Sequence, residues 1–210
     1  MVLNVTNELF FRFVFSALWI ICFANVAWVS YSTRGSASNR TTRRAGRLRI
    51  AAVGLAALYF ACALLYALLS GWLVSLSIPL PDWFRFVMVG VAVLGILLLS
   101  WGYSALGKNW FPSVSGVRRD TVLVTSGLYG LVRHPIYLGA FVFLAALALL
   151  AANSLILLPT LALLALLYTS IGEEEAMLID RFGDEYREYM KRTPRFIPRF
   201  KHSQRREPSP

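Results

Sequence analysis

From Ile50 to Ile78 the chain runs for 29 residues without one charged side chain. A helix needs about 20 apolar residues to cross the hydrocarbon of a bilayer, so this stretch commits the chain to a membrane and must either tilt or project beyond the lipid. Four more apolar stretches follow the same logic. Leu9–Tyr31 carries only Arg12, near its start, and Phe84–Leu106 carries only Arg85, at its edge. Ile136–Ala152 and Leu155–Ile171 hold 17 residues each and are separated by Asn153-Ser154 alone, which predicts a tight helical hairpin near the lower length limit for spanning. Backbone in hydrocarbon must satisfy its hydrogen bonds internally, and five separate apolar runs of this length do so as helices. The predicted fold class is therefore an all-α integral membrane protein. It has about five transmembrane helices, the last two a helical hairpin over 136–171, and a cytoplasmic C-terminal helix. Hydrophobic residues make up 57% of the chain and charged residues 15%, against about 25% charged in soluble domains. Leu9–Tyr31 has no basic leader and no small-residue cleavage site, so it reads as a retained helix rather than a signal peptide.

Charge then orients the chain. Of 21 Lys and Arg, six lie between spans one and two, four between spans three and four, and nine after Ile171. The connections Pro79–Trp83 and Asn153-Ser154 carry none. The positive-inside rule places the three basic segments in the cytoplasm, so the N-terminus is outside and the C-terminus inside. The compact length points to a prokaryotic inner membrane. The net charge of +10 is accounted for by this topology and by anionic lipid headgroups, and no nucleic-acid partner is expected. Cys22 and Cys62 fall inside spans without CxxC spacing, and there are two histidines, so no metal site is expected.

The organisation divides into 1–104, three helices with a basic cytoplasmic loop at 32–49; 105–200, a catalytic region; and 201–210, a disordered tail. Thr121–Thr125 is expected to be a short extended piece reaching into the site. Glu173 to Met190 has helical character, with Phe182, Tyr186 and Tyr189 forming an aromatic stripe at i, i+4, i+7. This helix either lies in the membrane interface or packs over the cytoplasmic loops.

Chemistry concentrates at one level. Arg133-His134-Pro135 opens the hairpin and Glu173-Glu174-Glu175 closes it, so a there-and-back crossing returns both to the same membrane face. Arg133 could anchor at the interface, and Pro135 suits the first turn of a helix. Neither role explains His134 or the surrounding Gly and Tyr residues. A helix N-terminus offers free N–H groups and a positive dipole end to an anion. Three consecutive glutamates point about 100° apart, so at most two face one ligand. Tyr129, Tyr137, Trp110 and Phe111 could equally be interfacial aromatics, and Asn109 a cap or turn residue.

The ordered series Ala105-Leu-Gly-Lys-Asn-Trp110, Leu123-Val-Thr-Ser-Gly-Leu-Tyr129 and Val132-Arg-His-Pro-Ile-Tyr-Leu-Gly139 resembles the isoprenylcysteine carboxyl methyltransferase family. So do Glu174-Glu-Ala-Met-Leu178, Arg181-Phe-Gly-Asp-Glu-Tyr-Arg-Glu-Tyr189 and Arg195-Phe-Ile-Pro198. The wider group includes phospholipid N-methyltransferases. The resemblance covers roughly Ala105–Phe200, with Leu128 where the family usually has proline. It implies a membrane methyltransferase using S-adenosylmethionine, with His134, Pro135, Tyr137 and Gly139 lining the cofactor pocket and Glu174 and Glu175 closing it. Val124, Gly127 and Tyr129 would contribute backbone groups. If the acceptor is a carboxylate, Arg133 or Arg187 would guide it; a thiol or amine acceptor would want a base, His134 or a glutamate. Glu175→Gln or His134→Ala is expected to abolish cofactor binding with the fold intact. The acceptor is lipophilic or small and would arrive from the bilayer; the oligomeric state is open. Competing readings are an NADPH-dependent membrane reductase of related architecture and a non-catalytic lipid-binding membrane protein.

Overall fold

The structure is a computed structural model describing residues 5–32, 43–69, 74–109 and 122–198. Seven α-helices follow in order: α1 (Val5–Ser32), α2 (Arg43–Leu68), α3 (Asp82–Leu106), α4 (Leu128–Leu131), α5 (Pro135–Ala151), α6 (Ser154–Phe182) and α7 (Asp184–Arg192). Among the described residues the only extended pairing is an isolated bridge between Ser77 and Asn153. Four helices are long and apolar enough to cross a membrane. The 17-residue α5 is about 26 Å long at 1.5 Å per residue.

Two expected boundaries move. The charge-free stretch 50–78 is not one helix: α2 starts earlier, at Arg43, and ends at Leu68, and a 3-10 turn at Val74–Leu76 leads into the Ser77 bridge. Hydropathy cannot see this stop, because the loop that returns to α3 is itself apolar. Nor does the second hairpin helix end at the membrane surface. α6 runs through the glutamate triplet to Phe182, since Glu, Ala, Met and Leu are all good helix formers. It breaks at Gly183, whose φ of 58° favours glycine, so the predicted helix from Glu173 to Met190 is the end of α6 plus α7. The tail 201–210, Trp110, Phe111, Thr121 and most of the basic loop lie outside the described residues.

α3 and α5 run antiparallel and almost touch. A Cβ on Gly95 would lie 2.7 Å from the Phe143 backbone N, one on Gly139 2.8 Å from the Leu99 backbone N, and one on Gly102 2.8 Å from the Ile136 side chain. Small residues that let backbones approach are how helices associate in lipid, where no hydrophobic drive separates helix from solvent. Phe11, Phe15, Tyr66, Leu147, Leu150 and Ile156 are fully enclosed between the helices. Phe13, Trp28, Leu97 and Leu158 point outward and are exposed, as a lipid-facing surface requires.

At the bundle end away from α7, Arg12 and Arg85 are buried rather than edge residues. Arg85 Nε donates to the Leu150 carbonyl (2.8 Å) and Nη1 to Glu8 (2.8 Å). Arg12 Nη1 donates to the Tyr66 and Leu69 carbonyls (3.2 and 2.9 Å). Each arginine thus satisfies the orphan carbonyls at a helix C-terminus, α5 for Arg85 and α2 for Arg12.

Candidate active site

The opposite end of the bundle is organised by the first turn of α5. Pro135 opens this helix, its missing N–H falling where no intrahelical partner exists. The two residues before it bind the segment that follows α7: Arg133 N–H donates to the Pro194 carbonyl (2.8 Å) and His134 N–H to the Arg195 carbonyl (3.2 Å). The chain after α7 therefore folds back on the start of the hairpin.

Glu175 stands at the centre of this junction and is 4% exposed. Its Oε1 accepts from Arg133 Nη2 (2.9 Å) and Nε (3.2 Å) and lies 3.2 Å from His134 Nε2. Arg195 also pairs with it, and the guanidinium pKa is raised by that hydrogen bond to Glu175. Arg133 Nη1 goes on to the carbonyls of Met190 (3.0 Å) and Thr193 (2.5 Å). A buried carboxylate surrounded in this way has its charge compensated and its lone pairs used.

Beside the junction lies a cavity of about 260 Å³. Arg133, His134, Tyr137 and Glu174 line it, with Tyr129, Tyr186 and Tyr189. Leu99, Leu106, Ile136, Ala140 and Leu167 give it an apolar wall, joined by Tyr103. Tyr137 donates to Glu174 Oε2 (2.8 Å), and Tyr189 donates to the Tyr129 carbonyl (2.5 Å). Val122, Leu123 and Val124 line the cavity, and Val122 N–H donates to Asn109 Oδ1 (3.0 Å), so Asn109 ties this segment to the end of α3. Burial raises the pKa of Tyr129, Tyr186 and Tyr189. All three remain neutral near pH 7.

The structure thus brings Val124, Tyr129, Arg133, His134, Tyr137 and Glu174 to one cavity. The other expected site residues lie elsewhere. Gly127 makes the turn before α4, with φ of 60°. Pro135 is buried in the first turn of α5, and Gly139 faces α3. Glu175 is turned into the junction, one helical position away from the cavity-lining Glu174. Arg187 pairs with Asp184 on the exposed side of α7. Sequence reasoning did not select Tyr103, Tyr186, Tyr189 or Arg195. The aromatic stripe contained the signal for two of them: Tyr186 and Tyr189 are 1% and 3% exposed, and with Phe182 they face the cavity rather than lipid.

Residues 88–180 match the model of the Isoprenylcysteine carboxyl methyltransferase (ICMT) family. The match begins within α3 and stops in α6, so α7 and Arg195 lie beyond it. Over 112 residues the chain is 37% identical to Protein-S-isoprenylcysteine O-methyltransferase of Schizosaccharomyces pombe, an alignment covering 52% of this chain and 48% of that protein. It is 33% identical over 117 residues to the nickel-cobalt-cadmium resistance protein NccN of Alcaligenes xylosoxydans xylosoxydans, covering 56% and 53%. It is 44% identical over 71 residues to Methanethiol S-methyltransferase 1 of Bradyrhizobium diazoefficiens, covering 34% and 24%. The chain spans about half the length of the first two relatives. The similarity to the isoprenylcysteine carboxyl methyltransferase family thus runs through the segment 88–180.

Proposed function

We propose that this protein is a membrane methyltransferase of the isoprenylcysteine carboxyl methyltransferase kind that takes S-adenosylmethionine into the cavity beside α5 and methylates an apolar or small acceptor there. The observation that carries the reading is the cavity itself. Its lining combines a carboxylate, an imidazole and tyrosine side chains with Leu, Ile and Ala side chains of α3, α5 and α6. A polar donor and an apolar acceptor each find matching groups there.

The residues present suit the cofactor. Glu174, oriented by Tyr137, can hold an ammonium group or ribose hydroxyls. When bound, the cofactor supplies a methyl group on a sulfonium for in-line transfer to a nucleophile. The chain's part is to align the two reactants and exclude water, and the aromatic side chains of α7 and α3 close the cavity for that purpose. Arg133 lines the cavity and Arg187 does not, which favours Arg133 as the acceptor's guide. Its N–H groups are already largely directed to Glu175, Met190 and Thr193, so it offers a positive field more than new hydrogen bonds. An acceptor that is already anionic, a carboxylate or thiolate, suits such a field best. The basic segment that follows α7 packs at the cavity's end of the bundle, and the positive-inside rule reads that end as cytoplasmic.

The test is thermal unfolding of the purified protein in detergent micelles with S-adenosylhomocysteine or NADPH. S-adenosylhomocysteine at 100 times its Kd is expected to stabilise by about 2.7 kcal/mol, and NADPH to have no effect. Stabilisation by NADPH alone would replace this reading with the reductase. Transfer of radiolabelled methyl from S-adenosylmethionine to fractionated host lipids and small thiols, in the absence of S-adenosylhomocysteine, then identifies the acceptor.

A further inference from the structure

Glu175 answers two guanidinium groups with one negative charge. Arg133 and Arg195 both pair with it. Glu174, the neighbouring carboxylate, lines the cavity instead and accepts from Tyr137. The junction therefore holds more positive charge than it neutralises. The surplus falls on Arg195, because its side chain is 42% exposed and that of Arg133 is 9% exposed. Arg195 gives Nε and Nη2 to Glu175, and its other N–H groups meet no acceptor among the described residues.

This guanidinium lies at the level where lipid headgroups give way to acyl chains. The next residue, Phe196, packs edge-on against Phe141, with ring centroids 5.5 Å apart at 71°. Phe141 is six residues beyond Pro135 on α5, which at 1.5 Å per residue is about 9 Å into the bundle. Tyr168, on the membrane-crossing part of α6, is within electrostatic reach of Arg195 and is exposed. Ile197 is 81% exposed, more than any other large apolar side chain among the described residues. The chain after α7 thus dips along α5 toward the hydrocarbon. An isoleucine placed there is wasted in water and buried among acyl chains. An arginine there turns its head to the phosphate layer, where a planar fork of N–H groups suits a phosphodiester. A zwitterionic headgroup brings its own cation to a place already positive, and an anionic one does not.

We infer that Arg195, Tyr168 and Ile197 form a binding site for an anionic phospholipid of the adjoining leaflet. The guanidinium and the phenol hold the phosphate, and Ile197 contacts the start of an acyl chain. The site is separate from the cavity and stands whichever cofactor the cavity takes.

The test is native mass spectrometry of the full-length protein in detergent micelles, titrated with phosphatidylglycerol or phosphatidylcholine of identical acyl chains. Wild type is expected to bind phosphatidylglycerol about five- to tenfold more tightly, as one charge-assisted contact allows. Arg195→Gln should remove that preference. Arg192→Gln, which deletes the same charge from the exposed end of α7, should keep it. Ile197→Ser should weaken both lipids and leave their ratio unchanged. Inorganic phosphate, which lacks acyl chains, should not displace phosphatidylglycerol. Equal binding of the two lipids by wild type overturns the inference. So does an Arg192→Gln variant that loses the preference as fully as Arg195→Gln, since basic charge in general is then the cause. Displacement by inorganic phosphate overturns it too, because the ligand is then a soluble anion. Should Arg195→Gln fail to fold, Ile197→Ser decides alone: unchanged affinity for phosphatidylglycerol at this exposed position overturns the site.

Discussion

Glu175→Gln tests the junction at the start of α5 most directly. The substitution keeps the shape and one acceptor oxygen but deletes the charge. The Arg133 and Glu175 side chains are 9% and 5% exposed, so removing the carboxylate leaves a guanidinium uncompensated inside the protein. Breaking a buried pair on one side costs about 3–5 kcal/mol. The retained amide oxygen can still accept from Arg133 or His134, which returns about 1 kcal/mol, so a loss near about 3 kcal/mol is expected. The Arg195 side chain is 42% exposed and its pairing is largely screened. Arg195→Met is therefore expected to lose no more than about 1 kcal/mol. The assay is unfolding by sodium dodecyl sulfate in mixed micelles, followed by far-ultraviolet circular dichroism, with both variants beside wild type. The reasoning is refuted if Glu175→Gln unfolds within about 0.5 kcal/mol of wild type, or if Arg195→Met proves the more damaging. The sequence led to the expectation that Glu175→Gln spares the fold and removes only cofactor binding. The buried junction makes it a stability variant first, with any binding defect following from displacement of Arg133 and His134.

Two further outcomes are expected in the same unfolding assay. Gly139→Ala would put a Cβ 2.8 Å from the Leu99 backbone N and 3.1 Å from the Gly95 carbonyl oxygen, forcing α3 and α5 apart at a cost of about 1–3 kcal/mol; Gly90→Ala, with nothing within 4 Å, should be neutral or gain up to about 1 kcal/mol. Similar midpoints for the two would refute the close-packing argument. Arg85→Met should lose about 3 kcal/mol by leaving the Leu150 carbonyl and Glu8 Oε2 without the Arg85 donor, while Glu8 Oε1 keeps Arg12 and Tyr66; a variant within about 0.5 kcal/mol of wild type would refute this.

What the sequence revealed follows from what hydropathy and short motifs can carry. Among the described residues four of the five apolar runs lie in helices long enough to cross a membrane and the fifth in the 17-residue α5, and the level at which Arg133-His134 meets the glutamates follows from a two-residue hairpin turn whichever way the helices pack. Side-chain direction is a different kind of information. Glu174 and Glu175 are adjacent, chemically identical and about 100° apart on one helix, so only the position of α7 decides that one faces the cavity and the other the junction. Tyr186 and Tyr189 repeat with the period of an interfacial aromatic face, and the same period serves a face turned inward over a pocket. Gly139 belonged to a motif that resemblance assigned to cofactor binding. Its contact with Leu99 on α3 is set by two helices far apart in sequence, which no local pattern records.

The two ends of α5 show what these long-range contacts accomplish. At its C-terminus, Arg85 from α3 takes the Leu150 carbonyl while also pairing with Glu8 of α1. At its N-terminus, the residues just before it are held by the chain beyond α7 and by Glu175 of α6. Between those fixed points, Gly139 lets α5 lie flush on α3. The helix that contributes Ile136, Tyr137 and Ala140 to the cavity is therefore pinned at both ends and along its length, by elements from every other part of the bundle. A transfer reaction whose barrier is lowered by alignment gains most from such rigidity, because an error of about 1 Å in placing the reactants can cost about a hundredfold in rate. On this view the buried arginines, which hydropathy reads as defects at the ends of apolar spans, help keep the cavity in shape from the far side of the membrane.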